Sequence, residues 1–174
     1  HWVKHPRGRK GGDVLDRFID ERRHQIQPPK PRTLYLRHVG AIYNLKELYE
    51  EVNAAHFDNA VTAYITWGKM PTRARRRSIR FGSYAQKDNV IRIHPLLDQS
   101  FVPRFFVRYV VFHEMLHAAM GIEETPAGRR RIHPPAFRRA EEAYPDYARA
   151  NAWAENPRNL KRLLKTDRRR GAPR

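Results

Sequence analysis

The spacing of apolar positions predicts a chain of helices interrupted by three short strands. Val14, Leu15, Phe18 and Ile19 recur at helical spacing behind Asp13, which suits an N-cap, so a short helix is predicted over 13–26. Three prolines within residues 28–31 cannot continue it and mark a linker. Asn44 with Glu47 reads as a capping box. Behind it Leu45, Leu48, Tyr49, Val52 and His56 share one face of a helix ending near Phe57. Asp58-Asn59 is turn chemistry. The β-branched and aromatic run Val61–Trp67 predicts a strand, and Ser78–Tyr84 and Asn89–His94 predict two more, joined through Gln86–Asn89 as a hairpin. In the last strand Ile91 and Ile93 should face one way, and Arg92 and His94 the other.

The stretch from Pro103 to Met120 is different in kind. Phe105, Phe106, Val107, Tyr109, Val110, Val111, Phe112, Met115, Leu116, Ala118 and Ala119 leave almost no polar face, so this helix should cross the core. Pro103 suits its first position and Gly121 its C-terminal end. A loop over Glu123–Arg131, a helix over Pro135–Tyr144, and helices opened by Pro145 and Pro157 complete the pattern. The last helix sets Leu160, Leu163 and Leu164 on one side and cations elsewhere. The fold class expected is α+β: a small three-stranded sheet packed on a buried helix, with further helices around it. Three regions are expected: a basic arm over 1–32, a main domain over 33–155 and a basic C-terminal helix or tail over 156–174.

Inside the apolar helix lies His113-Glu114-Met115-Leu116-His117. Histidines at i and i+4 project from one face and can reach one metal ion. Glu114 is turned about 100° away and is free to accept a proton from water activated by the ion. Two His and a Glu buried for packing alone would be costly, so one catalytic Zn²⁺ is expected, with Glu114 as general base of a hydrolase. A third protein ligand is needed. The metzincin spacing would put Gly at 120 and His at 123; Met120 and Glu123 stand there, which excludes it. The candidates downstream are Glu123, Glu124, His133, Glu141, Glu142 and Asp146. His133 is favoured as the only histidine after the motif, and Glu141 or Glu142 are the alternatives.

Composition changes the picture in two ways. There is no cysteine, so disulfides, Cys-based zinc sites and thiol nucleophiles are excluded. The 174 residues carry a formal charge of +17. Residues 1–32 and 156–174 contribute +5 and +7 of it, so the middle of the chain is only mildly basic. Such a field attracts polyanions, nucleic acid first among them; an Arg-rich genome or a solubility tail would give the same count. Arg73, Arg75, Arg76, Arg77 and Arg80, with Arg129, Arg130 and Arg131 just before His133, are candidate phosphate contacts or merely solvated loops. Trp67 could stack on an unpaired base or fill the core. His56 and His94 read as structural, and Tyr144 and Tyr147 as packing rather than oxyanion donors. No run of 18 apolar residues predicts a membrane span, and His1-Trp2-Val3-Lys4 opens no signal-peptide pattern. The expected location is intracellular, in the cytoplasm or nucleoid, or in the nucleus of a eukaryote.

Between Leu45 and Tyr144 the chain resembles the SprT-like metalloproteases, which include the Spartan proteases. The resemblance is carried by Leu48-Tyr49, Val52-Asn53 and His56-Phe57, by Ile65-Thr66-Trp67, and by Arg80-Phe81-Gly82-Ser83-Tyr84. It continues through Ile91-Arg92-Ile93-His94-Pro95-Leu96, His113–Ala118, and His133 followed by Phe137. It implies a zincin-like fold, zinc on His113, His117 and His133, and Glu114 as base. It also implies a DNA-stimulated endopeptidase acting on protein substrates, including those crosslinked to DNA, with sequence-nonspecific DNA as partner. Departures are the lack of any Cys-rich zinc ribbon and of a glycine beside His133, whose neighbours are Ile132 and Pro134. A zinc protease uncoupled from DNA, or a basic DNA-binding module with a non-catalytic zinc site, are the alternatives.

Overall fold

The computed structural model describes residues 34–70, 78–121, 123–124 and 130–170, the last five and the short segments 123–124 and 130–131 through their backbone alone. The expected helix over 13–26 and the proline linker lie outside the described residues, as do Arg73, Arg75, Arg76, Arg77 and Arg129. The chain divides into two compact units, His1–Tyr35 and Leu36–Arg174, and every element below belongs to the second.

Helix α1, Leu45–His56, starts where the sequence places it. Asn44 Oδ1 accepts the Lys46 N–H at 3.1 Å. Glu47 closes the box differently from the usual pattern, accepting from the Asn44 side-chain amide at 2.8 Å. Leu45, Leu48 and Val52 are buried, and so is Asn53, whose side chain brackets Val61: its Nδ2 donates to the Val61 carbonyl at 2.9 Å and its Oδ1 accepts the Val61 N–H at 3.2 Å. Asp58 and Asn59 take left-handed φ values of 48° and 59°, as the turn demands.

All three strands are shorter than the apolar runs suggest. Strand β1 is Tyr64–Trp67, because the polar groups of Val61 are already spent on Asn53. Strand β2 is Gly82–Ala85 and strand β3 is Val90–Ile93. Gly82 pairs with Ile93; beyond that, His94 N–H donates to the Phe81 carbonyl at 2.7 Å and Pro95 has no N–H to extend the ladder. The strand expected from Ser78 therefore begins four residues later. The order is β1-β3-β2, with β3 parallel to β1 and antiparallel to β2. As the central strand, β3 buries Val90 as well as Ile91 and Ile93. A single 3-10 turn, Gln86–Asp88, makes the hairpin link, closed by left-handed Asn89.

Helix α2, Arg104–Met120, crosses the core with ten buried residues, and Pro103 is its N-cap rather than its first residue. Gly121, with φ of 70°, ends it and returns its N–H to the His117 carbonyl at 3.0 Å. The predicted loop 123–131 contains a small antiparallel ribbon, β4 (Glu123–Glu124) with β5 (Arg130–Arg131). Helix α3, Pro135–Glu142, follows and buries Phe137 completely. Helix α4 is Tyr147–Glu155 and helix α5 is Pro157–Arg170. Leu163 of α5 is wholly buried and Leu160 and Leu164 half-buried, so that helix docks through its leucines. The result is a mixed α+β unit: five helices and a three-stranded sheet among the described residues. No described helix is long and apolar enough to cross a membrane.

Candidate metal centre and active site

His113 and His117 leave the core helix one turn apart, and the ribbon brings His133 back to them from a separate segment. One ring nitrogen from each of the three lies within 4.8 Å of the others. The Nε2 atoms of His117 and His133 are 3.1 Å apart. His117 is 8% exposed, whereas His133 is exposed. Burial, followed by the neighbouring histidines, pushes the His117 pKa down to about 4, and burial also lowers that of His133. Both rings are therefore neutral near pH 7, with lone pairs free for a cation.

The third ring is oriented from behind. Glu141 Oε1 lies 2.6 Å from His113 Nδ1 and accepts the Tyr109 hydroxyl at 2.7 Å. Burial pushes the Glu141 pKa up, but the hydrogen bonds from His113 and Tyr109 outweigh it and hold the carboxyl below its usual range. As a carboxylate it accepts only, so His113 Nδ1 carries the proton and Nε2 is left as the donor atom for a metal. Tyr109 stays protonated, its pKa raised by burial and then by the Glu141 hydrogen bond.

Glu114 sits in the same cleft at 4% exposure. Burial raises its pKa to about 7, against the pull of His113, of Arg80, and of a backbone hydrogen bond at Tyr84. Its Oε2 is buried with no hydrogen-bond partner among the described residues. Such an atom is costly to keep. The donor set fits a divalent transition metal: three neutral imidazoles, one fixed in its tautomer by a carboxylate, and a spare carboxylate one residue from the first ligand. The cleft, about 490 Å³, is lined by the three histidines, Glu114 and Glu141, by Arg80 and Asn151, and by apolar walls that include Phe81, Phe106 and Val110.

A model of the SprT-like family matches residues 45–153. The chain belongs to the SprT-like family. No curated protein and no solved structure matches it. Membership suggests a metalloprotease-related function for the cleft of this SprT-like chain, and its three histidines could hold a metal ion, compatible with zinc.

The other expected site residues fall in different places. Trp67 is 4% exposed within the core, so the idea of a base-stacking platform is corrected: no ring face is open to a base. Arg130 and Arg131 form β5, paired with Glu124 and Glu123. Glu141, weighed as a ligand, reaches His113 Nδ1 instead. His56 packs between Phe112 and Tyr144, with ring centroids 5.4 and 5.0 Å away. Arg80, read as a candidate phosphate contact near the cleft, lines the cleft itself, whereas Tyr109, Gly82 and Asn151 were missed as parts of the site. The i, i+4 spacing of Tyr109 and His113 was the signal for Tyr109, and Gly82 stands inside the Arg80–Tyr84 motif that carries the family resemblance; nothing local marked Asn151.

Proposed function

We propose that this SprT-like chain is a zinc-dependent endopeptidase of zincin-like fold, stimulated by DNA and acting on DNA-bound or DNA-crosslinked proteins. The observation that carries the proteolytic part is Glu114: a buried carboxylate with a free oxygen, lining one cleft with three convergent histidines. His113, His117 and His133 would hold the ion, with Glu141 and Tyr109 fixing the first of them. Zinc bound by three imidazoles acidifies water and polarises a carbonyl. Glu114 takes a proton at its free oxygen and returns it to the leaving amine. Its raised pKa suits an exchange near neutral pH, and a cation among the histidines favours its ionised, accepting form.

Among the described residues, strand β2 is a sheet edge, and it runs beside Glu114. An extended peptide can add to such an edge through main-chain hydrogen bonds, which favours unfolded segments over any one sequence. Recruitment by DNA is supported by the +17 charge. Phosphate contacts of this kind carry no sequence preference and weaken steeply with salt.

The test is a cleavage assay with zinc-loaded protein and a basic, partly unfolded substrate, run with no DNA, single-stranded DNA and double-stranded DNA, beside Glu114→Gln. Cleavage that requires DNA and disappears in the variant is expected. Equal cleavage without DNA refutes the coupling, and cleavage unchanged in Glu114→Gln refutes the assigned base.

A further inference from the structure

Gly82 opens β2 directly opposite Glu114. Gly121 is the glycine with positive φ among the described residues, so no left-handed backbone demands glycine at 82. Space does. A Cβ built at Gly82 would lie 2.6 Å from Glu114 Oε1, 2.7 Å from its Cγ and 2.9 Å from its Cδ. Carbon does not approach other heavy atoms that closely. A glycine inside a strand weakens it, and marks a place where another group must come close to the backbone. Here that group is the carboxylate of α2.

The rest of the strand supports the same placement. Tyr84, two residues along, offers the carboxylate a backbone hydrogen bond. Arg80 Nε donates to the Gly82 carbonyl at 2.9 Å, fixing the start of the strand. Glu114 is thus laid flat along bare backbone, with one side held by the strand and Oε2 left without a partner.

We propose that Gly82 is a positioning residue for Glu114: the missing side chain is the seat in which the carboxylate lies. This rests on the reading of Glu114 as the proton carrier. The clash falls on a side chain rather than on backbone, so an alanine at 82 displaces the carboxylate and leaves the sheet standing.

Two measurements test it. In urea unfolding of the metal-free protein, Gly82→Ala should lower the midpoint in the native background and raise it in Glu114→Ala, where the space is empty. An equal change in both backgrounds means the residues are not coupled and overturns the proposal. In the zinc-loaded protein, Gly82→Ala should lower kcat about 100-fold, the size expected when a reacting group moves by about 1 Å. KM should stay within about threefold, and zinc affinity by chelator competition should not change. Unchanged kcat, or a loss confined to KM or to zinc binding, also overturns it. If the native protein cleaves nothing while the unfolding cycle remains coupled, the endopeptidase reading fails and the seating of Glu114 by Gly82 stands.

Discussion

Removing the carboxylate of Glu141 should weaken metal binding without removing a ligand. The side chain is half-buried, and one oxygen serves both His113 Nδ1, at 2.6 Å, and the Tyr109 hydroxyl, at 2.7 Å. A hydrogen bond to a charged group in such a setting contributes about 1.5–3 kcal/mol. If that holds the His113 ring in its binding tautomer, Glu141→Ala should lower affinity about 10- to 100-fold, the usual cost of losing a group behind a histidine ligand. Glu141→Gln keeps a neutral acceptor and should lose less. Tyr109→Phe removes one of two donors and should lose least. The assay is zinc competition against a chromophoric chelator at fixed pH, with circular dichroism confirming the fold of each variant. Affinity within about threefold of the native value for folded Glu141→Ala would refute the orienting role and make the contact mere packing.

His133→Ala should leave a two-imidazole site, and zinc content by atomic absorption after dialysis should fall well below one per chain; full occupancy would remove His133 from the ligand set. Glu114→Gln should stabilise the metal-free protein at pH 8. A carboxyl whose folded pKa is about 7 costs stability when ionised, by on the order of 3 kcal/mol, and the cost is relieved as pH falls toward the unfolded value. The two urea curves should therefore converge near pH 4.5. His117 acts with the opposite sign: its folded pKa of about 4 lies below the unfolded 6.5, so its contribution is complete above pH 6.5 and is lost as pH falls through 4, which makes Glu114→Gln the steeper of the two profiles over that window. Leu163→Ala should cost about 2–4 kcal/mol, since Leu163 is wholly buried where α5 docks; a cost below about 0.5 kcal/mol would mean that α5 contributes little to stability.

The core helix and its motif were legible because their chemistry is local. Eleven apolar residues on all sides, a proline before and a glycine after, leave little else for 103–121 to be. The Asn44 cap and the Asp58-Asn59 turn are similarly short-range. Strand lengths were not legible, because they depend on partners: the polar groups of Val61 are taken by the Asn53 side chain, and β2 starts only where β3 can reach it. The ribbon was missed for the same reason, since Arg130-Arg131 has no strand signature apart from Glu123-Glu124. Within the site, ligand spacing was readable on one helix, whereas Glu141 beside His113 and Gly82 beside Glu114 are meetings of distant segments. Trp67 shows the limit of residue type as a guide: its aromatic face allowed either stacking or core packing, and its burial in the sheet favours the second.

The ribbon also bears on how this cysteine-free chain resists unfolding. His117 and His133 are 16 residues apart in sequence, and a cation shared between them ties the core helix to the start of α3. That tie is a covalent staple in all but name. A closed loop of about 15 residues is worth about 3 kcal/mol of chain entropy when a disulfide closes it, and a metal that can leave imposes the same constraint reversibly. Occupancy would then govern two properties together: the chemistry at the three histidines, and the entropy gained on unfolding by the chain between His117 and His133. A chain with this arrangement would be protected from digestion only while its three histidines hold their ion.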